Sequence, residues 1–223
     1  MDRVDSTAAA RLFSARFCAE GVSVSRGGAR IVRNISITLE PGDVVILHGP
    51  NGSGKTTLLR AFAGLLRIDD GAIRVESAHG SSVSAPVDEP SASLIYCGPQ
   101  NAAKAALTVD ENLRFWAALY DAPEGALETA RTAFRLEGYA DRLAGALSTG
   151  LFRRLGLSRL VLARRPIWFV DEPTASLDAS SSETFARYVE DHRAAGGVAV
   201  IATHDAFDIA GARKLRLAEE QAA

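Results

Sequence analysis

Apolar and polar residues alternate through residues 31–39, which predicts an antiparallel strand with one wet face. Pro41-Gly42-Asp43 then marks a tight turn. The alternation stops at Asp43-Val44-Val45-Ile46-Leu47, an unbroken apolar run that predicts a buried strand. Similar runs occur at Ser93-Leu94-Ile95-Tyr96-Cys97, at Ile167-Trp168-Phe169-Val170 and at Val198-Ala199-Val200-Ile201-Ala202. A shorter strand is predicted over residues 71–76. Helical spacing replaces this pattern over residues 57–63 and 153–165. Ser180-Ser181-Ser182-Glu183 predicts the cap of a further helix, which stops at Gly196-Gly197.

Residues 101–146 have a different character. Thr108-Val109-Asp110-Glu111 is a capping-box sequence and predicts a helix to about Tyr120. Leu113, Trp116, Ala117 and Tyr120 share one face of it. That stripe is either core or a partner surface, and core is the better reading. Residues 124–136 and 139–144 predict shorter helices, so this stretch is a helical insert within an α/β pattern. Residues 77–91 are rich in Ser, Pro and Ala without periodicity, as an exposed loop would be. Residues 1–15 predict a frayed N-terminal extension. The whole chain is expected to form one domain, with an extension over 1–17, a core over 18–100 and 147–218, and the insert over 101–146.

Between a buried strand and a helix lies Gly49-Pro50-Asn51-Gly52-Ser53-Gly54-Lys55-Thr56-Thr57. It fills every fixed position of G-x-x-x-x-G-K-[ST], and strand–loop–helix is the context this pattern requires. Glycines allow backbone N–H groups to close around phosphate oxygens, and the helix dipole adds to the attraction. Lys55 would reach the β- and γ-phosphates, and the Thr56 hydroxyl would ligate Mg²⁺. Downstream, the apolar strand at residues 167–170 runs into Asp171-Glu172. Asp171 is placed to hold Mg²⁺, and Glu172 to polarise a water for attack on the γ-phosphate. Thr203-His204 ends another apolar strand. A lone histidine there is usually a loop residue, but strands of one parallel sheet present their C-terminal ends at one edge, which favours a γ-phosphate contact. Leu147-Ser148-Thr149-Gly150 opens a helix and offers a second anion site, or a plain cap. One chain has little use for two such sites; two chains packed head to tail would complete each other.

Composition narrows the class. With 25 basic and 27 acidic residues, the net charge of −2 argues against bulk binding of nucleic acid. The 47% hydrophobic fraction is ample for a packed core. Cys18 and Cys97 lack metal-ligand spacing and read as free thiols in a reducing compartment. No run approaches the ~18–20 apolar residues that cross a bilayer, and no signal peptide is evident.

As a set, the phosphate loop, Gln100, Leu147-Ser148-Thr149-Gly150, Asp171-Glu172, Ser176-Leu177-Asp178 and His204 resemble an ATP-binding cassette (ABC) ATPase over roughly residues 18–218. The resemblance implies a P-loop α/β fold with a mostly parallel sheet, an antiparallel β edge and a helical subdomain. It implies MgATP hydrolysis by a homodimer, each nucleotide lying between one phosphate loop and the opposite Ser148 and Gly150. It adds Gln100 to the catalytic and metal-binding residues and Asp178 to those near the nucleotide. The segment from Gly98 to Trp116, together with Leu47-His48-Gly49-Pro50, is similar to the heme exporter ATP-binding subunits of bacterial cytochrome c maturation. That narrower likeness implies an integral membrane permease as partner and a peripheral place on the cytoplasmic side of the bacterial inner membrane. The ATPase subunit of another small exporter or importer is the alternative. The chain has no guanine-reading Asn-Lys-x-Asp, which argues against a GTPase. Two positions depart from the general pattern. Ser25-Arg26-Gly27-Gly28 occupies the region of the usual adenine-stacking aromatic, and Leu151 stands where many members carry Gln or Glu. Arg26 could stack its guanidinium instead, and Leu151 implies a slow ATPase.

Overall fold

The computed structural model describes residues 12–77, 82–83, 93–204 and 207–217. A five-stranded sheet carries the architecture. Its order is β6 (Leu94–Cys97), β7 (Ile167–Asp171), β8 (Val198–Ala202), β3 (Val44–His48) and β9 (Arg213–Arg216), all parallel. Every residue of β7 and β8 is buried, as their unbroken apolar runs require. The expected antiparallel strands form a sheet of their own rather than extra strands on the parallel one. Its order is β2 (Ala29–Leu39), β1 (Ala15–Arg26), β4 (Asp70–Ser77) and β5 (Ser82–Val83).

Side chains alternate across the parallel sheet and feed two cores. Val45, Leu47, Phe169 and Val200 face α1 (Lys55–Phe62) and the antiparallel sheet. Phe17, Phe62 and Phe169 meet there edge to face or tilted, with ring centroids 5.1–5.9 Å apart. Ile46, Trp168, Val170 and Ile201 face the other side. They pack with α2 (Val109–Tyr120), α3 (Ala126–Ala133), α4 (Thr149–Leu157), α5 (Arg159–Ala163) and α6 (Ala179–Ala194).

Local expectations held where local chemistry decides. The Thr108–Glu111 capping box forms, and Leu113 and Trp116 are core residues, 0% and 2% exposed. They failed where tertiary pairing decides. Strand β1 carries no clear alternation in sequence, because a register shift between Ala19 and Val22, with Gly21 at φ +61°, breaks it. The extension is therefore shorter than expected. The Phe13 N–H donates to Ala195 O at 2.8 Å, and β1 starts at Ala15. Residues 1–11 lie outside the described residues. So does most of the 77–91 loop, of which β5 pairs with β4.

The helix expected over 139–144 is replaced by 3₁₀ turns at Glu137–Tyr139 and Ala144–Ala146. Backbone bonds from Val109 N to Arg142 O and from Ala144 N to Leu107 O take that segment instead. The helix expected over 153–165 is broken at Ser158, whose Oγ donates to Leu155 O at 2.6 Å. Helix α6 is capped by Asp178, not Ser180: its Oδ1 accepts the Ser181 N–H at 2.7 Å. A carboxylate there also complements the helix dipole. Cys18 and Cys97 are buried and unpaired with each other.

His192 of α6 lies flat against Trp168, with ring centroids 3.7 Å apart, and Nε2 is 3.1 Å from Pro166 O. Burial pushes its pKa down to about 4. The folded state thus resists the proton that the unfolded chain accepts near pH 6.5. Stability is complete above that pH and is lost as pH falls towards 4, by about 2–4 kcal/mol. Thermal melts should therefore drop more steeply between pH 6.5 and 4.5 in the native protein than in His192→Gln. Equal slopes would assign the acid sensitivity to other groups.

Candidate active site

The loop between β3 and α1 is shaped by its glycines. Gly52 and Gly54 have φ of +85° and +93°. A Cβ on Gly49 would lie 2.5 Å from Ser53 Oγ and 2.9 Å from Leu217 O. Gly54 leads into α1 with no side-chain cap and no acidic residue in the first turn, so the positive helix end is left for an anion. Lys55 is only 6% exposed, and its Nζ donates to Gly49 O at 2.6 Å and Pro50 O at 3.0 Å. A cavity of about 440 Å³ opens here, lined by Arg26, Ile31, Asn51, Gly52, Gly54, Lys55, Thr56, Thr57 and Glu172.

Strand β7 brings Asp171 beneath this loop. The Thr56 hydroxyl donates to Asp171 Oδ2 at 2.7 Å, and the Tyr96 hydroxyl to the same oxygen at 3.3 Å. Burial raises the Asp171 pKa; the Thr56 and Tyr96 hydrogen bonds partly offset this. Asp171 Oδ1 and Ser53 Oγ are buried with no hydrogen-bond partner among the described residues. Unsatisfied buried oxygens beside a threonine hydroxyl fit a hard divalent cation and its phosphate ligands. Tyr96 had no role in the sequence reading; only β6–β7 pairing puts it beside Asp171.

Glu172 follows Asp171 with a left-handed backbone, φ +48°. His204 Nδ1 lies 2.8 Å from Glu172 Oε2. β7 and β8 thus deliver the predicted pair to one edge. Arg153, also without a role in the sequence reading, is buried under this turn and donates to the carbonyls of Asp171, Glu172 and Pro173.

The remaining predicted residues are not all brought to this cavity. Ser148 caps α4, accepting the Leu151 N–H at 3.3 Å. A Cβ on Gly150 would lie 2.8 Å from Ser176 O, so α4 starts against the Ser176-Leu177-Asp178 turn. Neither Ser148 nor Gly150 lines the phosphate-loop cavity. Asp178 does not line it either; its carboxylate caps α6. Gln100 is exposed in the bend after β6 and is likewise absent from the lining. Leu151 is half-buried and packs against the helical core.

The family model described as ABC transporter matches residues 32–175. A putative ABC transporter ATP-binding protein from Pyrococcus furiosus has the same fold. The TM-score is 0.76 at 22% identity, over 91% of this chain and 97% of that one. An ATP-binding subunit of an ABC transporter superposes with a TM-score of 0.74 at 22% identity, over 84% and 79% of the two chains. At that identity these neighbours speak for the fold alone. The chain belongs to the ABC transporter family, and it is a transport ATPase of ABC type. It is similar to the cytochrome c biogenesis ATP-binding export protein CcmA of Roseobacter denitrificans, 45% identical over 83% of this chain and 82% of that protein. The CcmA of Rhizobium meliloti is 41% identical over 91% and 97%.

Lys55→Ala should retain the fold and lose hydrolysis by on the order of a hundredfold or more, because it removes the fixed cation at the loop. Steady-state phosphate release checks this, with circular dichroism as the control. Turnover within a few-fold of the native protein would refute the assignment.

Proposed function

We propose that this chain is the MgATP-hydrolysing subunit of a heme export complex in cytochrome c maturation. The observation that carries the catalytic part is the Glu172–His204 pair at 2.8 Å beside a cavity lined by the phosphate loop. The CcmA relatives, at 41–45% identity over most of the chain, support the physiological role.

The loop amides from Gly49 to Thr57 cradle the phosphates, and Lys55 leaves its carbonyl partners to meet the β- and γ-oxygens. Thr56, Asp171 and Gln100 would hold Mg²⁺, which when bound offsets phosphate charge. Glu172 orients the attacking water, and His204 holds Glu172 and contacts the γ-phosphate. Arg26 lines the cavity and stacks on the base.

Ser148 and Gly150 are surplus to the cavity of their own chain. We assign them to the nucleotide of a second copy, in a homodimer with two shared sites. Glu172→Gln should bind ATP, hydrolyse it slowly and accumulate as a dimer. Size-exclusion chromatography with and without ATP reads this; a mutant that binds ATP and stays monomeric counts against shared sites.

No helix among the described residues is long and apolar enough to cross a membrane. We place the protein at the cytoplasmic side of the bacterial inner membrane, held by an integral permease subunit. Nucleic acid is not a partner in this reading. The docking surface lies around residues 100–116 and the exposed face of α2 that continues from them; Trp116 is buried and is not part of it. Phe115 and Leu119, 44% and 62% exposed, stand one turn apart on α2. Serine at both positions should release the protein from permease-containing membranes while basal ATPase persists. Membrane flotation of the co-expressed pair tests this, and retention of the double mutant would move the docking surface elsewhere.

A further inference from the structure

Arg153 is 4% exposed on α4, one turn beyond Gly150. Nη2 donates to Asp171 O at 2.8 Å and Glu172 O at 2.9 Å, and Nε donates to Pro173 O at 3.2 Å. Nη1 donates to Gly98 O at 2.7 Å and Asn101 Oδ1 at 2.8 Å. These are five bonds for the five N–H groups of a guanidinium. None of the five acceptors is a carboxylate oxygen. A buried cation without an ion pair is costly, and burial does lower the Arg153 pKa. Its acceptors fall into two groups. One is three successive carbonyls of the turn that holds Glu172 at φ +48°, a conformation that non-glycine residues adopt only when their surroundings enforce it. The other flanks Gln100. α4 grips this second group twice: a Cβ on Gly156 would lie 2.6 Å from Asn101 Cβ.

We propose that Arg153 is a positioning residue for hydrolysis: its guanidinium fixes the backbone turn that aims Glu172, and ties that turn to α4 and to the residues on either side of Gln100. The inference rests on the ATPase reading above. It means that a displacement of the α4 N-terminus, where Ser148 and Gly150 sit, is transmitted to the backbone carrying Glu172. It also means that lysine cannot substitute: one ammonium with three donors cannot reach three successive carbonyls and both flanks of Gln100 from one point.

The test compares Arg153→Met and Arg153→Lys in the full chain, alone and combined with Glu172→Gln. Steady-state hydrolysis, ATP binding followed with a fluorescent ATP analogue, and melting temperature are measured together. A misplaced Glu172 should lower kcat about 10- to 100-fold while ATP affinity stays within about threefold. Arg153→Lys should recover melting temperature more than kcat. In the Glu172→Gln background neither substitution should lower the residual rate further, because the group being aimed is already gone. A folded Arg153 variant with native kcat would overturn the proposal. So would kcat losses that multiply with Glu172→Gln, or that accompany an equal loss of ATP affinity. If Arg153→Met fails to fold, Arg153→Lys decides by the same criteria. Failure of the parent reading looks different: the native chain would not hydrolyse ATP, or Glu172→Gln would not slow it.

Discussion

One hydrogen bond ties the phosphate loop to the strand end that carries Asp171. The Thr56 hydroxyl meets Asp171 Oδ2 at 2.7 Å across 115 residues of sequence. It can form only if β3 and β7 are parallel, end at the same level and are separated by β8 alone, as observed. The buried apolar runs of these strands provide that alignment. A shift of two residues in either register would keep the same faces inward but carry Asp171 several ångströms from the loop. The packing of Phe17, Phe62 and Phe169 on one face and of the helical core on the other therefore serves the chemistry by holding strand ends level.

The site leaves specific groups unused. Gly52 and Gly54 adopt backbone angles that side-chain-bearing residues avoid, and α1 keeps its first turn uncapped. Asp171 Oδ1 and Ser53 Oγ have no hydrogen-bond partner among the described residues. Unused donors and acceptors in one place are expensive in a folded protein unless a ligand takes them. Ser148 and Gly150 differ: their helix start is closed against Ser176 of the same chain, and neither residue lines the phosphate-loop cavity. The proposal that two copies share each nucleotide site rests on this contrast.

Where local pattern and final structure differ, long-range pairing is the cause. Strand β1 hides its alternation behind a bulge at Gly21, and its strand character comes from β2 and β4 on either side. Residues 139–144 lose their helix because backbone groups at 107–110 compete for their hydrogen bonds. Asp178 outcompetes Ser180 as a cap, a choice between two acceptable residues that local preference alone does not settle. Tyr96 and Arg153 are ordinary in sequence, a strand tyrosine and a helix arginine. Their partners lie on other elements.

Sequence alone determined the phosphate loop, the Asp171-Glu172 strand end, the α/β class with its helical insert and the capped start of α2. Each of these is written in a few neighbouring residues, where glycine freedom, apolar periodicity or side-chain capping acts over one or two turns of chain. Only the tertiary structure decided which charges and hydroxyls meet: Thr56 and Tyr96 on Asp171, His204 on Glu172, and Arg153 beneath three carbonyls. Those pairings depend on strand order and register, which arise from packing summed over the whole sheet, and no short window of sequence contains that sum.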